Sequence, residues 1–315
     1  MANETVFERY PGNPIVVATA VFRANSIHNP AIVKRGEGDY AGVFRVDEIS
    51  LGLTLHVGRS HDGIAWQIDP DPLVMRSDDA EISVTAQSYD PRLTRIDETY
   101  DLTWCNAGLS GPAIGLATED FVAFHQWENP LPPANRNRVL FPQRIAGDFA
   151  AYHRPSDRGH TPFGDVYFAR SPDLVHRGRH RFVFGPAGGW RSLKVGPGPH
   201  PIETDEGWLL LYHGVWRSCS GYVYSVGATL LDLDEPWKVR YRTRDCLLAP
   251  AESYERIGDV PNVCFPSSAT TEGDRLRLYY GCADTCVAMA EAGLADVLEF
   301  VKDHSLRAGQ TTVWS

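Results

Sequence analysis

A residue–proline step recurs along this chain at intervals of several tens of residues, and no other feature limits the fold so strongly. Five segments begin with it: Asn29-Pro30 to Arg45, Asp90-Pro91 to Trp104, Phe141-Pro142 to Arg154, His200-Pro201 to His213 and Phe265-Pro266 to Tyr280. The prolines lie 61, 51, 59 and 65 residues apart. Each segment crosses a turn rich in Gly, Asp or Glu and returns through aromatic and branched residues, which is hairpin chemistry. A further strand follows most hairpins and ends in a small-residue and acidic turn: Gly58–Asp62, Leu116–Asp120, Phe168–Asp173 and Leu230–Asp234. Units of three to four strands, repeated five times, predict an all-β chain folded as a five-bladed β-propeller. Only the stretch from Ala288 to His304 reads as helix, with Met289, Ala292, Leu294, Val297, Leu298 and Val301 on one face. No second domain is visible, so residues 1–315 are expected to form one domain.

The charge balance narrows the partners. Thirty basic residues against 40 acidic ones give a net charge of -10, which argues against a broad nucleic-acid or anionic-membrane footprint but permits a local basic pocket. No basic leader followed by an apolar run opens the chain and no long uncharged stretch interrupts it, so a cytoplasmic protein is expected. The six cysteines form no C-x-x-C pair, and free thiols are the simplest reading.

A hairpin's first strand begins at the end where its second strand finishes. If the five units are related by rotation about one axis, Asn29, Arg45, Asp90, Arg154, His213 and Asp284 converge at one mouth of the channel, with Tyr280 just before the last. Such a cluster of ionisable groups is typical of a site. Asp90 opens Tyr89-Asp-Pro-Arg-Leu-Thr94, where Pro91 is expected to hold it extended. It is a candidate general acid, or else a cap on its turn. Arg136-Asn137, Arg154, Lys194 and His213 form a second group. Alone, each cation is more often solvated or salt-bridged; together they would make an anion pocket suited to phosphate oxygens. Trp208 reads as core, whereas Trp190 and Trp216 suit either core or a sugar platform.

At these residues the chain resembles glycoside hydrolase family 130, the mannoside phosphorylases and related mannosidases. The resemblance runs through Asn29-Pro30, Asp90-Pro-Arg92, Asn135-Arg-Asn-Arg-Val-Leu-Phe-Pro142, His153-Arg-Pro155, Lys194-Val-Gly-Pro-Gly-Pro199, Gly207–Gly214, Gly227–Asp234, Pro261-Asn-Val-Cys-Phe-Pro266 and Tyr279–Asp284. It implies a five-bladed propeller, in agreement with the repeat count. It also implies that Asp90 is the catalytic acid and that Arg136, Asn137, Arg154, Lys194 and His213 surround inorganic phosphate. By the same resemblance Asn29, Arg45 and Asp284 lie near the sugar in the -1 subsite, and Tyr89 contacts the +1 sugar. The family's proton transfer through the mannose 3-hydroxyl is carried over on that ground alone.

Chemistry separates the two activities of such a family. An inverting hydrolase needs a second carboxylate to activate water, whereas phosphate arrives anionic and nucleophilic and needs positive charge and positioning instead. The intact basic set therefore favours an inverting phosphorylase, and the Tyr89-Asp-Pro-Arg92 form resembles the branch acting on β-1,4-mannosides, either mannooligosaccharides or mannosyl-N-acetylglucosamine; the resemblance implies release of the terminal mannosyl unit as α-mannose 1-phosphate, a reversible hexosyl transfer. The alternatives are a β-mannoside hydrolase and a non-catalytic glycan-binding propeller. No metal or organic cofactor is implied, and inorganic phosphate is a co-substrate. The expected partners are a β-mannoside oligosaccharide and phosphate, with no nucleic acid and no membrane; a homo-oligomer is compatible with the sequence.

Overall fold

The computed structural model describes residues 6–77, 79, 82, 87–106, 111–117, 121–132, 134–156 and 164–305. These form five sheets that follow one another along the chain. The first pairs Ala24–Gly36, Asp39–Glu48, Leu53–Ser60 and Gln67–Ile68 in that order. In the second, Ser88–Ile96, Thr99–Asn106, Gly111–Ala117 and Phe124–Glu128 form an antiparallel meander, with Met75–Arg76 added in parallel outside. The third contains Asn135–Leu140, Phe149–Pro155, Val166–Ser171 and Gly178–Phe184. In the fourth, Lys194–Pro197 and Ile202–Thr204 both pair with the long strand Gly207–Ser218, which continues into Gly221–Leu231 and Val239–Arg242. The fifth contains Cys264–Glu272, Arg275–Cys282 and Cys286–Gly293, and Glu8–Arg9 closes its outer edge. This is an all-β, propeller-like fold with few helices.

At four of the five boundaries the first strand of one sheet packs on the first strand of the next: Ala24–Gly36 touches both Ser88–Ile96 and Cys264–Glu272, and Asn135–Leu140 touches both Ser88–Ile96 and Lys194–Pro197, while at the fifth Cys264–Glu272 meets Gly207–Ser218 and Gly221–Leu231. Being an inner edge, such a strand tolerates proline and bulges. The steps at Pro30, Pro91 and Pro266 fall there, whereas His200-Pro201 follows the inner strand Lys194–Pro197, and three bulges re-aim a polar side chain. The register slips between His28 and Ala31, Tyr89 and Arg92, and Arg136 and Val139. Within those slips Asn29, Asp90 and Asn137 take φ of 47°, 51° and 51°. Asn and Asp adopt this left-handed conformation more readily than other residues with a Cβ. Asp90 is therefore not extended as its proline neighbour suggested; the bulge outweighs that local preference.

Apolar clusters fill the seams between adjacent sheets. Ala31, Val43, Leu55, Leu93, Leu102 and Trp104 join the first to the second, while Phe141, Tyr152, Phe168, Trp208 and Tyr212 join the third to the fourth. Trp208 stands edge-on to Phe141 with centroids 4.9 Å apart, a core residue as expected. Trp190 stacks on Tyr212, Trp216 is half-exposed, and neither lines the cavity described below. The acidic turns are structural. Asp62, Asp173 and Asp232 each accept hydrogen bonds from the backbone N–H groups two and three residues on. Thr118–Asp120, the end of the second-sheet counterpart, lies outside the described residues.

Three boundaries differ from those read in the sequence. The C-terminal helix is Leu294–Asp303 only, and Ala288–Gly293 belongs to a strand. Along that strand Val287 and Met289 enter the core between the first and fifth sheets, whereas Ala288 and Ala290 enter the core between the fourth and fifth. Both faces are apolar, so a helical wheel drawn over them finds a stripe that does not exist. A short helix, Ser253–Arg256, and two single turns of tighter helix at Ala18–Ala20 and Gly189–Arg191 also went unread. In the third sheet the inner strand precedes Phe141-Pro142, which sits in the connection to Phe149–Pro155.

Candidate active site

Ten of the residues singled out in the sequence line one cavity of about 420 Å³: Asn29, Arg45, Tyr89, Asp90, Arg136, Asn137, Arg154, Lys194, His213 and Asp284. Every sheet contributes. Asn29 and Arg45 come from the first, Tyr89 and Asp90 from the second, Arg136, Asn137 and Arg154 from the third, Lys194 and His213 from the fourth, and Asp284 from the turn between two strands of the fifth. Tyr280 does not join them. Its side chain points into the core and its hydroxyl donates to Glu255 Oε1 at 2.9 Å, because strand alternation sends it to the face opposite the one expected.

One carboxylate is held by two neighbours. Asn29 Nδ2 donates to Asp90 Oδ1 at 2.8 Å and Arg45 Nη1 donates to the same oxygen at 3.0 Å. Arg45 is itself aimed by Asp47, which accepts from its Nε at 2.7 Å and from Nη2 at 2.8 Å. Burial works against ionisation of Asp90, but the Arg45 and Arg92 guanidiniums and the Asn29 donor overcome it and hold the carboxyl below its ordinary range. Arg92 is fully buried behind the site and donates to the carbonyls of Gly198 and Pro91. Glycine is required behind Asn29, since a Cβ at Gly281 would collide with its Oδ1.

The wall formed by the third and fourth sheets is basic. Arg154 Nη1 donates to His213 Nε2 at 2.9 Å. Burial first, then Arg154 and Lys194, push the His213 imidazole well below its usual range, so it is neutral. Lys194 is drawn down to about 8 by burial and by Arg154 and Arg136. The Arg136 guanidinium lies 5.7 Å from the centre of the Tyr89 ring, and that of Arg45 lies 5.3 Å from it. Among the described residues none of Arg136, Arg154 and Lys194 has a carboxylate within ion-pair distance, unlike Arg45. Gly196 makes this packing feasible: a Cβ there would lie 2.5 Å from His213 Cε1 and 2.8 Å from Arg154 Nη1.

Asp284 is the second carboxylate of the cavity. Burial raises it to about 6, against the pull of Arg45 and with the help of Asp90 and Asp47. Leu53, Tyr224, Val263 and Phe265 complete the lining. None was singled out in the sequence, although Phe265 lies within a motif already noted and Tyr224 follows Tyr222 by the strand period of two. Phe265 packs 4.7 Å from the His213 ring. The six cysteines are free thiols. Among the described residues no group of three or more His, Cys, Asp or Glu side chains is arranged to hold a metal ion, and no helix is long and apolar enough to cross a membrane.

Comparison with known proteins agrees over nearly the whole chain. Residues 4–303 match the pattern of glycoside hydrolase family 130, described as β-1,4-mannooligosaccharide phosphorylase. The chain is 49% identical over 308 residues to the β-1,4-mannooligosaccharide phosphorylase of Ruminococcus albus, covering 95% of this chain and 92% of that protein. It is 36% identical over 246 residues to the β-1,2-mannobiose phosphorylase of Listeria innocua, covering 78% and 67% of the two. Among solved structures, the β-1,2-mannobiose phosphorylase of Listeria innocua in complex with β-1,2-mannobiose superposes with a TM-score of 0.84 at 28% identity, over 94% of this chain and 99% of that one. The chain belongs to glycoside hydrolase family 130.

Proposed function

We propose that this protein is an inverting phosphorylase that transfers a terminal β-1,4-linked mannosyl residue to inorganic phosphate, giving α-D-mannose 1-phosphate and a shortened acceptor. The observation that carries the reading is the basic wall: three cations crowd one side of the cavity, and among the described residues none of them has a carboxylate within ion-pair distance. Like charges gathered and partly desolvated are costly unless an anion joins them. Arg136, Asn137, Arg154, Lys194 and His213 hold the phosphate in this scheme; Asn29, Arg45 and Asp284 hold the -1 mannose and Tyr89 the +1 sugar. A phosphate oxygen attacks the anomeric carbon as its bond to the glycosidic oxygen breaks, and Asp90 supplies the proton that the leaving oxygen takes. The identity to the Ruminococcus albus protein supports the β-1,4 linkage.

The ionised state of Asp90 fits this order of events. The charges that hold Asp90 ionised are Arg45 and Arg92, and a phosphate dianion bound nearby would oppose them and raise the proton affinity of the carboxylate when a proton is needed. The five sheets act in this reading as the five blades of one propeller, and residues 1–315 as one catalytic domain. Phosphate is the co-substrate and no other cofactor is invoked. A cytoplasmic location suits a reaction whose product is a charged sugar phosphate that stays inside the cell.

The test is to incubate the protein with β-1,4-mannobiose and β-1,4-mannotriose, with and without phosphate, and to follow mannose 1-phosphate and free mannose. Sugar phosphate that forms only with phosphate, as the α anomer by NMR, is the expected result. Free mannose released regardless of phosphate identifies a hydrolase and overturns the reading.

A further inference from the structure

Lys194 is held in an unusual way for a charged side chain. Its Nζ lies 5.3 Å from the ring centre of Tyr222 and 5.3 Å from that of Tyr224. The register explains the arrangement. Lys194 stands opposite Val215, which stands opposite Tyr224, and Tyr222 follows on the same face of its strand by the period of two. On its other side the stem meets the backbone at Gly164, where a Cβ would collide with Lys194 Cβ. Tyr224 lines the cavity, whereas Tyr222 is outside it and 45% exposed, at the end of the strand Gly221–Leu231 next to solvent.

We propose that Tyr222 is a positioning residue for phosphate: its ring and that of Tyr224 clamp the Lys194 ammonium from two sides and aim it at the incoming anion. This inference rests on the phosphorylase reading. An ammonium over an aromatic face is attracted by the ring quadrupole without being neutralised. A carboxylate in the same place would compete with phosphate, and a ring does not. The flexible stem of lysine gives an added reason for the clamp, because an unheld ammonium would lose rotamer freedom on every binding event. Tyr222 also covers the solvent side of the ammonium. Among the described residues, the charged and titratable groups that face Lys194 from the surrounding strands are Arg136, Arg154, His213, Tyr222, Tyr224 and Asp284.

The experiment compares the full-length wild type with Tyr222→Ala and Tyr222→Phe in phosphorolysis of β-1,4-mannotriose, with phosphate varied at several pH values. Tyr222→Ala is expected to raise the KM for phosphate about fivefold or more while the KM for mannotriose stays within twofold. Uncovering the ammonium relieves its burial, so the alkaline limb of phosphate affinity moves to higher pH. Tyr222→Phe keeps the ring and should match the wild type in both respects. A phosphate KM within twofold of wild type in Tyr222→Ala overturns the inference, and so does a Tyr222→Phe variant as impaired as Tyr222→Ala. A wild type that yields no mannose 1-phosphate overturns the phosphorylase reading instead.

Discussion

His213 accepts a hydrogen bond at Nε2 from Arg154 Nη1, 2.9 Å away, across the boundary between the fourth and third sheets. A guanidinium cannot accept, so the imidazole proton is on Nδ1 and the ring is a neutral strut beneath the cation. This contact and a longer one from Nε to Ser156 Oγ, at 3.4 Å, hold the guanidinium of Arg154 at the edge of the cavity.

Arg154→Ala should therefore raise the KM for phosphate by about 10- to 100-fold, the value of a buried charge-assisted hydrogen bond. Arg154→Lys should recover little of this, because a point charge replaces a planar fork. Initial rates at varied phosphate and saturating mannooligosaccharide test it, and an unchanged phosphate KM removes Arg154 from the anion site.

Asp90→Asn keeps the shape and the left-handed backbone at that bulge but cannot donate the required proton. Turnover should fall by about 10²- to 10⁴-fold, with phosphate bound as tightly as before or more so. Isothermal titration with phosphate and steady-state rates measure the two quantities. Turnover within tenfold of wild type would remove the acid role.

Lys194, drawn down to about 8, gives the phosphate step a pH dependence. Bound phosphate favours the ammonium and raises its pKa. Its contribution is then complete below about pH 8 and fades as pH rises through the bound value. At about pH 9, phosphate binding should take up protons, seen as a dependence of the calorimetric heat on buffer ionisation enthalpy. Lys194→Met should abolish that uptake; its persistence assigns the proton to another group.

Gly196→Ala tests the packing behind the basic wall. The added methyl pushes on His213 and Arg154 together, and overpacking of this kind costs about 1–3 kcal/mol. Thermal melting should show the loss, and the phosphate KM should rise while the mannoside KM changes little. A variant with wild-type melting and wild-type phosphate KM means that the wall yields without consequence.

Much of this arrangement was readable from the chain because the repeat carries it. Once five hairpins are laid out at about 60-residue spacing, Asn29, Asp90, Arg154, His213 and Asp284 fall at equivalent ends, and the cavity unites them. What stayed hidden depends on contacts made at a distance. The left-handed turn of Asp90 comes from a bulge imposed by its neighbouring strand, not from Pro91. Strand alternation turns Tyr280 inward, where its hydroxyl finds Glu255, 25 residues away in sequence. Gly293 marks where strand becomes helix, but the alternation before it involves two cores that belong to different sheets. Leu53 and Val263 carry no charge to attract notice, and only a closed fold shows that they face the site.

The outer edge of the fifth sheet is made by Glu8 and Arg9, which pair with Glu291 and Ala290. Residues separated by nearly the whole sequence thus share one sheet, and Asp284 lies in the turn next to the strand they join. As the chain emerges from the ribosome, the strands that bear Asp90 and the basic wall are made before the segment that carries Asp284 and receives Glu8 and Arg9. An unfinished chain therefore holds an incomplete sugar site however well its earlier sheets have formed.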